Sequence, residues 1–126
     1  MSLVSFELKE KYLLVTGHGR RDNLVTMTQV SSLIMDKIRE TNARHLLVDY
    51  RKLEINVPLS EAFNIVKRYE VAQPELKNII IAAVFEGKGL TFGNYWKEVS
   101  QQRGFHIEIF EDIDRAEDWL FGQMGT

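Results

Sequence analysis

The chain has 126 residues, with 16 lysines and arginines, 18 aspartates and glutamates, and no cysteine. A chain of this length folds around one hydrophobic core without disulfides or metals, so we expect a single domain over residues 1–126. The formal net charge of −2 argues against a nucleic-acid-binding protein, and the absence of cysteine excludes disulfides, thiolate nucleophiles and cysteine-ligated metals.

The chain begins with a predicted strand hairpin. Apolar and polar residues alternate over 3–8, and 12–17 is a short, mostly apolar run, so the two segments predict an antiparallel pair. This start lacks the basic residues and long apolar core of a signal peptide, and no apolar run is long enough to span a membrane. We therefore expect a cytoplasmic protein with no membrane span.

An amphipathic helix is predicted next, from about residue 23 to 41, and Asn42 is a plausible end for it. Apolar residues recur there with helical spacing at Met27, Val30, Ile34 and Ile38. Its start stays open between a cap at Asp22 or Asn23 and a capping box of Thr26 with Gln29. The following run, 45–50, is apolar without alternation, which is typical of a strand covered on both faces.

The second half predicts further helices and strands in alternation. A helix is expected from about 59 to 71, with Ser60 as its cap and Pro74 preventing its continuation, and 78–85 is the most apolar run and a candidate central strand. The remaining elements are a helix marked by Phe92, Tyr95, Trp96 and Val99 with a Thr91 cap and a Gly104 stop, a strand at 106–110, and a short helix capped near Asp112. The order ββαβαβαβα predicts an α/β fold whose mixed five-stranded sheet opens with an antiparallel hairpin.

Particular residues, together with this order of elements, resemble those of a known family. A strand ends in Asp and a polar stretch over 46–53, Arg103-Gly104-Phe105 precedes the last strand, and residues 116–120 read A-x-x-W-L. With these features the chain resembles the SpoIIAA-like family of small bacterial proteins, mostly uncharacterised, which share a fold with STAS domains and CRAL-TRIO lipid-transfer domains. The resemblance covers nearly the whole chain and rests on fold signatures.

The resemblance implies a regulatory module, but the phosphoacceptor motif of the STAS anti-sigma-factor antagonists is missing. That motif, D-S-[SA]-G, would lie after the strand at 46–50, where this chain reads Asn-Val-Pro-Leu-Ser-Glu over 56–61. Ser60 is the only hydroxyl there, and we interpret it as an ordinary helix cap in preference to a phosphorylation site.

A glycine-rich loop offers the best candidate anion site. His18, Arg20 and Arg21 lie in it between a predicted strand and a helix, where guanidiniums and free N–H groups hold phosphate or carboxylate. The dinucleotide fingerprint G-x-G-x-x-G fails because residue 22 is Asp, and a flexible turn with solvated arginines is the favoured alternative.

Two loops and an aromatic helix face complete the candidate sites. The loops at Asn56–Ser60 and Gly87-Lys88 are expected at the carboxyl ends of parallel strands, where ligands or partners bind in open α/β sheets. If the resemblance to lipid-transfer folds extends to a pocket, its apolar lining would be Phe63, Val66, Phe92, Tyr95 and Trp96. Ordinary core packing is the favoured interpretation of these aromatics.

The leading functional hypothesis is a non-enzymatic regulatory or protein-interaction module that acts through an unknown protein partner or a homodimer. The alternative is a carrier or sensor of a small apolar or amphiphilic, lipid-like ligand. A hydrolase that uses His18 ranks last, because no nucleophile or base partner is identifiable. No cofactor is predicted, and the three histidines lie in separate elements, so no metal site is predicted either.

Overall fold

The computed structural model describes residues 3–124 and contains a five-stranded sheet with helices on both faces. Its elements in chain order are β1 (Val4–Leu8), β2 (Leu13–Gly17), β3 (Arg20–Arg21), α1 (Leu24–Thr41), β4 (His45–Asp49), β5 (Glu54–Ile55), α2 (Ser60–Ala72), a 3₁₀ helix (Pro74–Asn78), β6 (Ile80–Val84), α3 (Gly89–Gln102), β7 (His106–Phe110) and α4 (Ile113–Gln123).

The main sheet has the order β1-β2-β4-β6-β7, with β1 antiparallel to β2 and the remaining pairs parallel. The predicted α/β fold, mixed five-stranded sheet and opening hairpin are therefore confirmed. β4 and β6 are the central strands, in agreement with their apolar sequences, because helices cover both of their faces.

Alternate residues of the central strands divide the core into two layers. Leu46 and Val48 face the side covered by α1, α2 and α3, whereas Leu47 faces the side where Ala116 and Leu120 of α4 pack. A period of two residues along each strand produces this division. One face of the sheet thus carries a three-helix layer and the other carries a single short helix.

Side chains that bond to the main chain set several helix ends. Asn23 Oδ1 accepts from the Thr26 N–H at 2.9 Å, so the open choice for the start of α1 resolves to Asn23. Asn42 ends α1 in the left-handed conformation with φ of 57°, and Asp112 Oδ1 accepts from the Arg115 N–H at the start of α4. These three predicted ends are confirmed.

The caps predicted at Ser60 and Thr91 are wrong. The cap positions of α2 and α3 are Leu59 and Lys88, and neither makes a side-chain capping bond. Ser60 is instead the first residue of α2, and Thr91 lies in the first turn of α3. Main-chain bonds take the place of a cap at α2, because Pro58 and Leu59 carbonyls accept from the first N–H groups.

β3 and β5 form a separate two-stranded parallel sheet that the sequence did not reveal. The main-chain N–H of Glu54 donates to the Gly19 carbonyl at 3.0 Å, and that of Asn56 donates to the Arg21 carbonyl at 2.9 Å. Because successive side chains of a strand point to opposite sides, Arg20 faces solvent and Arg21 faces inward.

Among the described helices, none is long and apolar enough to cross a membrane.

Gly93 tests the packing of α3 against the sheet. A Cβ on Gly93 would lie 2.7 Å from the fully buried Phe85 ring, so we expect Gly93→Ala to lower the free energy of unfolding by about 1–3 kcal/mol. Gly122→Ala on α4 is the matched control, because no atom of the described residues lies within 4 Å of its added Cβ and alanine favours a helix by up to about 1 kcal/mol. Urea denaturation measures the free energy of unfolding of both variants. Equal values would contradict the close packing of Gly93 against Phe85.

Candidate functional site

A cavity of ≈ 80 Å³ lies between the sheet and the layer formed by α1, α2 and α3. Its walls are mostly apolar, from strand residues such as Leu46 and Ile81 and from the aromatic rings of Phe85, Phe92 and Phe105. The polar side chains among its lining residues are Arg21, Ser31, Tyr50, Tyr69 and Trp96. An apolar wall with a few converging polar groups has the composition of a small-molecule site, although the volume lies below the usual range of about 300–1,000 Å³.

Arg21 is the only charged residue on the described wall, and it is 3% exposed. Its Nη1 donates to the carbonyls of His18 (2.9 Å) and Arg20 (3.2 Å), and its Nη2 donates to the carbonyl of Leu3 (2.9 Å). No described carboxylate forms an ion pair with it. A guanidinium has five N–H donors, so the Nε–H and one Nη2–H have no described acceptor.

Burial lowers the pKa of Arg21, while the neighbouring Tyr50 raises it. A guanidinium is such a strong base that it stays protonated at neutral pH even so. The wall of the cavity therefore carries one full positive charge, and its hydrogen-bond acceptors within residues 3–124 are main-chain carbonyls.

The two tyrosines differ in how their hydroxyls are satisfied. The Tyr69 hydroxyl accepts from Trp96 Nε1 at 3.3 Å. The Tyr50 hydroxyl has no hydrogen-bond partner among the described residues, although its ring packs edge-on against Phe85. Burial raises the pKa of both tyrosines, so both hydroxyls are neutral at physiological pH and available as donors.

These groups can bind and orient a ligand but are poorly suited to move its protons. The cavity wall, within the described part of the chain, includes no histidine and no carboxylate. General acid–base chemistry at neutral pH commonly uses those groups, because their pKa values are readily tuned toward 7. The arrangement favours recognition by charge and hydrogen bonds.

A solved structure shares this architecture. The crystal structure of an uncharacterized protein from the DUF3478 family with a SpoIIAA-like fold, from Shewanella loihica PV-4, superposes with a TM-score of 0.55. The two chains are 19% identical, and the match covers 93% of this chain and 91% of that chain. This chain has a SpoIIAA-like fold. Neither the models of known protein families nor the curated protein sequences match it.

Within this SpoIIAA-like fold, the three residues of the predicted anion site do not converge. Arg21 lines the cavity, whereas His18 and Arg20 are exposed on the outer surface. His18 Nε2 lies 2.8 Å from Ser5 Oγ, and Arg20 forms ion pairs with Asp22 and Glu54. Two carboxylates therefore face Arg20, whereas Arg21 has no described carboxylate partner.

The predicted apolar pocket is also divided. Phe92 and Trp96 line the cavity, and Val66 is buried in the core but does not reach it. Phe63 and Tyr95 are 37% and 36% exposed, respectively, and lie outside. Tyr50, Tyr69 and Ser31 line the cavity without having been predicted as site residues, although Tyr69 lies on the apolar stripe of α2 and Tyr50 directly follows β4.

The two predicted loops lie at the carboxyl edge of the parallel strands and do not line the cavity. Asn56 Nδ2 donates to Asp22 Oδ1 at 3.0 Å, which ties the β5 segment to the turn before α1. Ser60, Gly87 and Lys88 are exposed. These residues are free to contact a partner, but the cavity does not depend on them.

A pair of tyrosine variants tests the two hydroxyls. We expect Tyr50→Phe to leave the free energy of unfolding unchanged, because its hydroxyl has no described partner. Tyr69→Phe should lower it by about 1–2 kcal/mol, because the buried Trp96 N–H loses its acceptor. Urea denaturation measures the free energy of unfolding of both variants. An equal loss of stability in Tyr50→Phe would contradict the hydrogen-bond partners assigned to the two hydroxyls.

Proposed function

We propose that this protein is a non-enzymatic sensor or carrier that binds one small amphiphilic molecule in the cavity beside Arg21. The observation that carries the proposal is a buried guanidinium, without a carboxylate partner among the described residues, on the wall of a mostly apolar cavity. The SpoIIAA-like fold supports a STAS-like module of this kind, in which a small domain reports a bound state to other proteins.

The energetics of Arg21 support a ligand with a polar or anionic head. Burial of a charge without a counter-charge is costly, and main-chain carbonyls offset only part of that cost. Three of the five N–H groups have such carbonyl acceptors. A ligand head would satisfy the other two, while its apolar body would contact walls such as Phe92 and Leu46.

Tryptophan resonances provide a direct test of occupancy. Trp96 lines the cavity, whereas Trp119 lies on α4 and packs against Phe110 on the opposite face of the sheet, so the two indole N–H signals form a matched pair. Four probes with a common three-carbon body are added separately at millimolar concentration: propionate, propionamide, 1-propanol and propylamine.

We expect at least one of the neutral or anionic probes to shift the Trp96 indole N–H signal in a saturable manner and to leave that of Trp119 in place. Propylamine should have no effect, because its ammonium is repelled by Arg21. If no probe moves the Trp96 signal, and native mass spectrometry of the expressed protein shows only the bare chain, the ligand-binding proposal is wrong.

A surface groove supports a second function, that of a protein-interaction module. Exposed apolar side chains on the outer face of α1, with Arg68 of α2, line an open groove of ≈ 760 Å³, which we call the α1–α2 groove. Val25 is 67% exposed and Leu33 is 48% exposed. No described acidic residue pairs with Arg68. This charge and these apolar positions favour an amphipathic helix of a partner protein that places a carboxylate opposite Arg68.

Designed peptides test the groove. A helical peptide with a leucine stripe and a glutamate beside it should shift the backbone amide signals of α1 and α2, and Arg68→Glu should weaken its binding by about tenfold. A peptide with lysine in place of that glutamate should bind Arg68→Glu more tightly than it binds the parent protein. Leu8→Glu, at a 62% exposed position on β1, is the control that should leave binding intact. Equal binding of both peptides, or a concentration-dependent dimer that buries Val25, would contradict the acidic-helix partner.

A further inference from the structure

We propose that the molecule bound in the cavity is a short carboxylate of two or three carbon atoms. This inference rests on the proposed ligand-binding function and narrows it to one chemical class. Three features of the cavity lead to it, namely its charge, the geometry of its free donors and its size.

The charge of the wall favours a monoanion. Arg21 contributes one positive charge, and every other described lining residue is neutral at physiological pH. A single carboxylate balances that charge, whereas a phosphate dianion would leave one negative charge in an apolar enclosure without compensation. Arg21 would repel a cationic ligand head, because the two charges have the same sign.

Arg21 has two N–H groups, on neighbouring nitrogens, that can donate to the two oxygens of a carboxylate. Nε and Nη2 share one edge of the planar guanidinium, and each retains an N–H for which no described residue is the acceptor. Two adjacent N–H groups of an arginine bind a carboxylate in a bidentate manner, with bonds stronger than those between neutral groups. The Tyr50 hydroxyl, also without a described partner, is a third donor on the same wall.

The size of the cavity limits the length of the ligand. Its volume of ≈ 80 Å³ is about half that of an apolar cavity of about 150 Å³ that binds benzene. Acetate or propionate matches this volume, and a fatty acyl chain of a dozen carbons exceeds it several times. The proposed ligand is therefore much smaller than the lipid-like molecule that the sequence-based hypothesis named.

The test is a titration of the full chain at pH 7 and constant ionic strength, with the Trp96 indole signal as the readout and Trp119 as the reference. Acetate, propionate, hexanoate, acetamide, propionamide and inorganic phosphate are compared. We expect dissociation constants no tighter than tens of micromolar for acetate and a few micromolar for propionate, because so few atoms limit the attainable affinity to about 1.5 kcal/mol each. Hexanoate, both amides and phosphate should bind at least about tenfold more weakly.

Variants connect the selectivity to Arg21. Arg21→Met should abolish the response to acetate. Arg21→Lys keeps the positive charge but loses the paired N–H donors of the guanidinium, so it should weaken acetate binding by about tenfold. The lysine variant serves as the test if the methionine variant does not fold. Tyr50→Phe should weaken it by a few-fold. Arg20→Met is the matched control, because that exposed side chain points to the other side of β3, and it should bind acetate as the parent protein does.

The outcomes separate the two proposals. If the amides or phosphate bind as tightly as acetate, or if Arg21→Lys binds acetate unchanged, the carboxylate inference is wrong and the ligand-binding function stands. If hexanoate binds more tightly than acetate, the size limit is wrong. If none of the six probes moves the Trp96 signal, the carboxylate inference is wrong, and the ligand-binding function fails with it only when native mass spectrometry also shows the bare chain.

Discussion

The buried charge of Arg21 is the constraint around which one end of this molecule is arranged. Its guanidinium joins the start of β1, at Leu3, to the turn between β2 and β3 through three main-chain carbonyls. Carbonyls satisfy donors but bring no full negative charge, so a cation held in this way keeps an attraction for anions. A cavity beside such a group differs from a mere packing defect, which would be lined by apolar atoms alone.

The distribution of helices explains why both candidate sites lie on one side of the sheet. α4 is short and packs through small and medium side chains on its own face, where Ala116 and Leu120 are fully buried. Two different faces of α1 line the two candidate sites. Ser31 and Ile34 line the cavity, and Val25 and Leu33 line the α1–α2 groove. A displacement of α1 would change both sites at once, which is the geometric requirement for a bound ligand to influence a partner.

Most of the fold was predictable because it depends on local patterns. Alternation and uninterrupted apolar runs predicted the five main strands, and helical spacing predicted the four helices. Caps at Asn23 and Asp112 were predictable since a short polar side chain bonds to an N–H three residues later. Three residues of the candidate site were named too, although Arg21 was assigned to one site and the pair Phe92 and Trp96 to another.

By itself, then, the sequence determined the order and type of the main elements and the chemical groups from which a site is built. Only the tertiary structure decided that Arg21 and not Arg20 turns inward, and that Tyr50 and Tyr69 join it. The reason is physical: β3 and β5 are two residues long, too short for any periodicity, and main-chain bonds between Gly19 and Glu54 hold them together. Such bonds join segments that are distant in sequence, so side-chain patterns within either segment do not encode them.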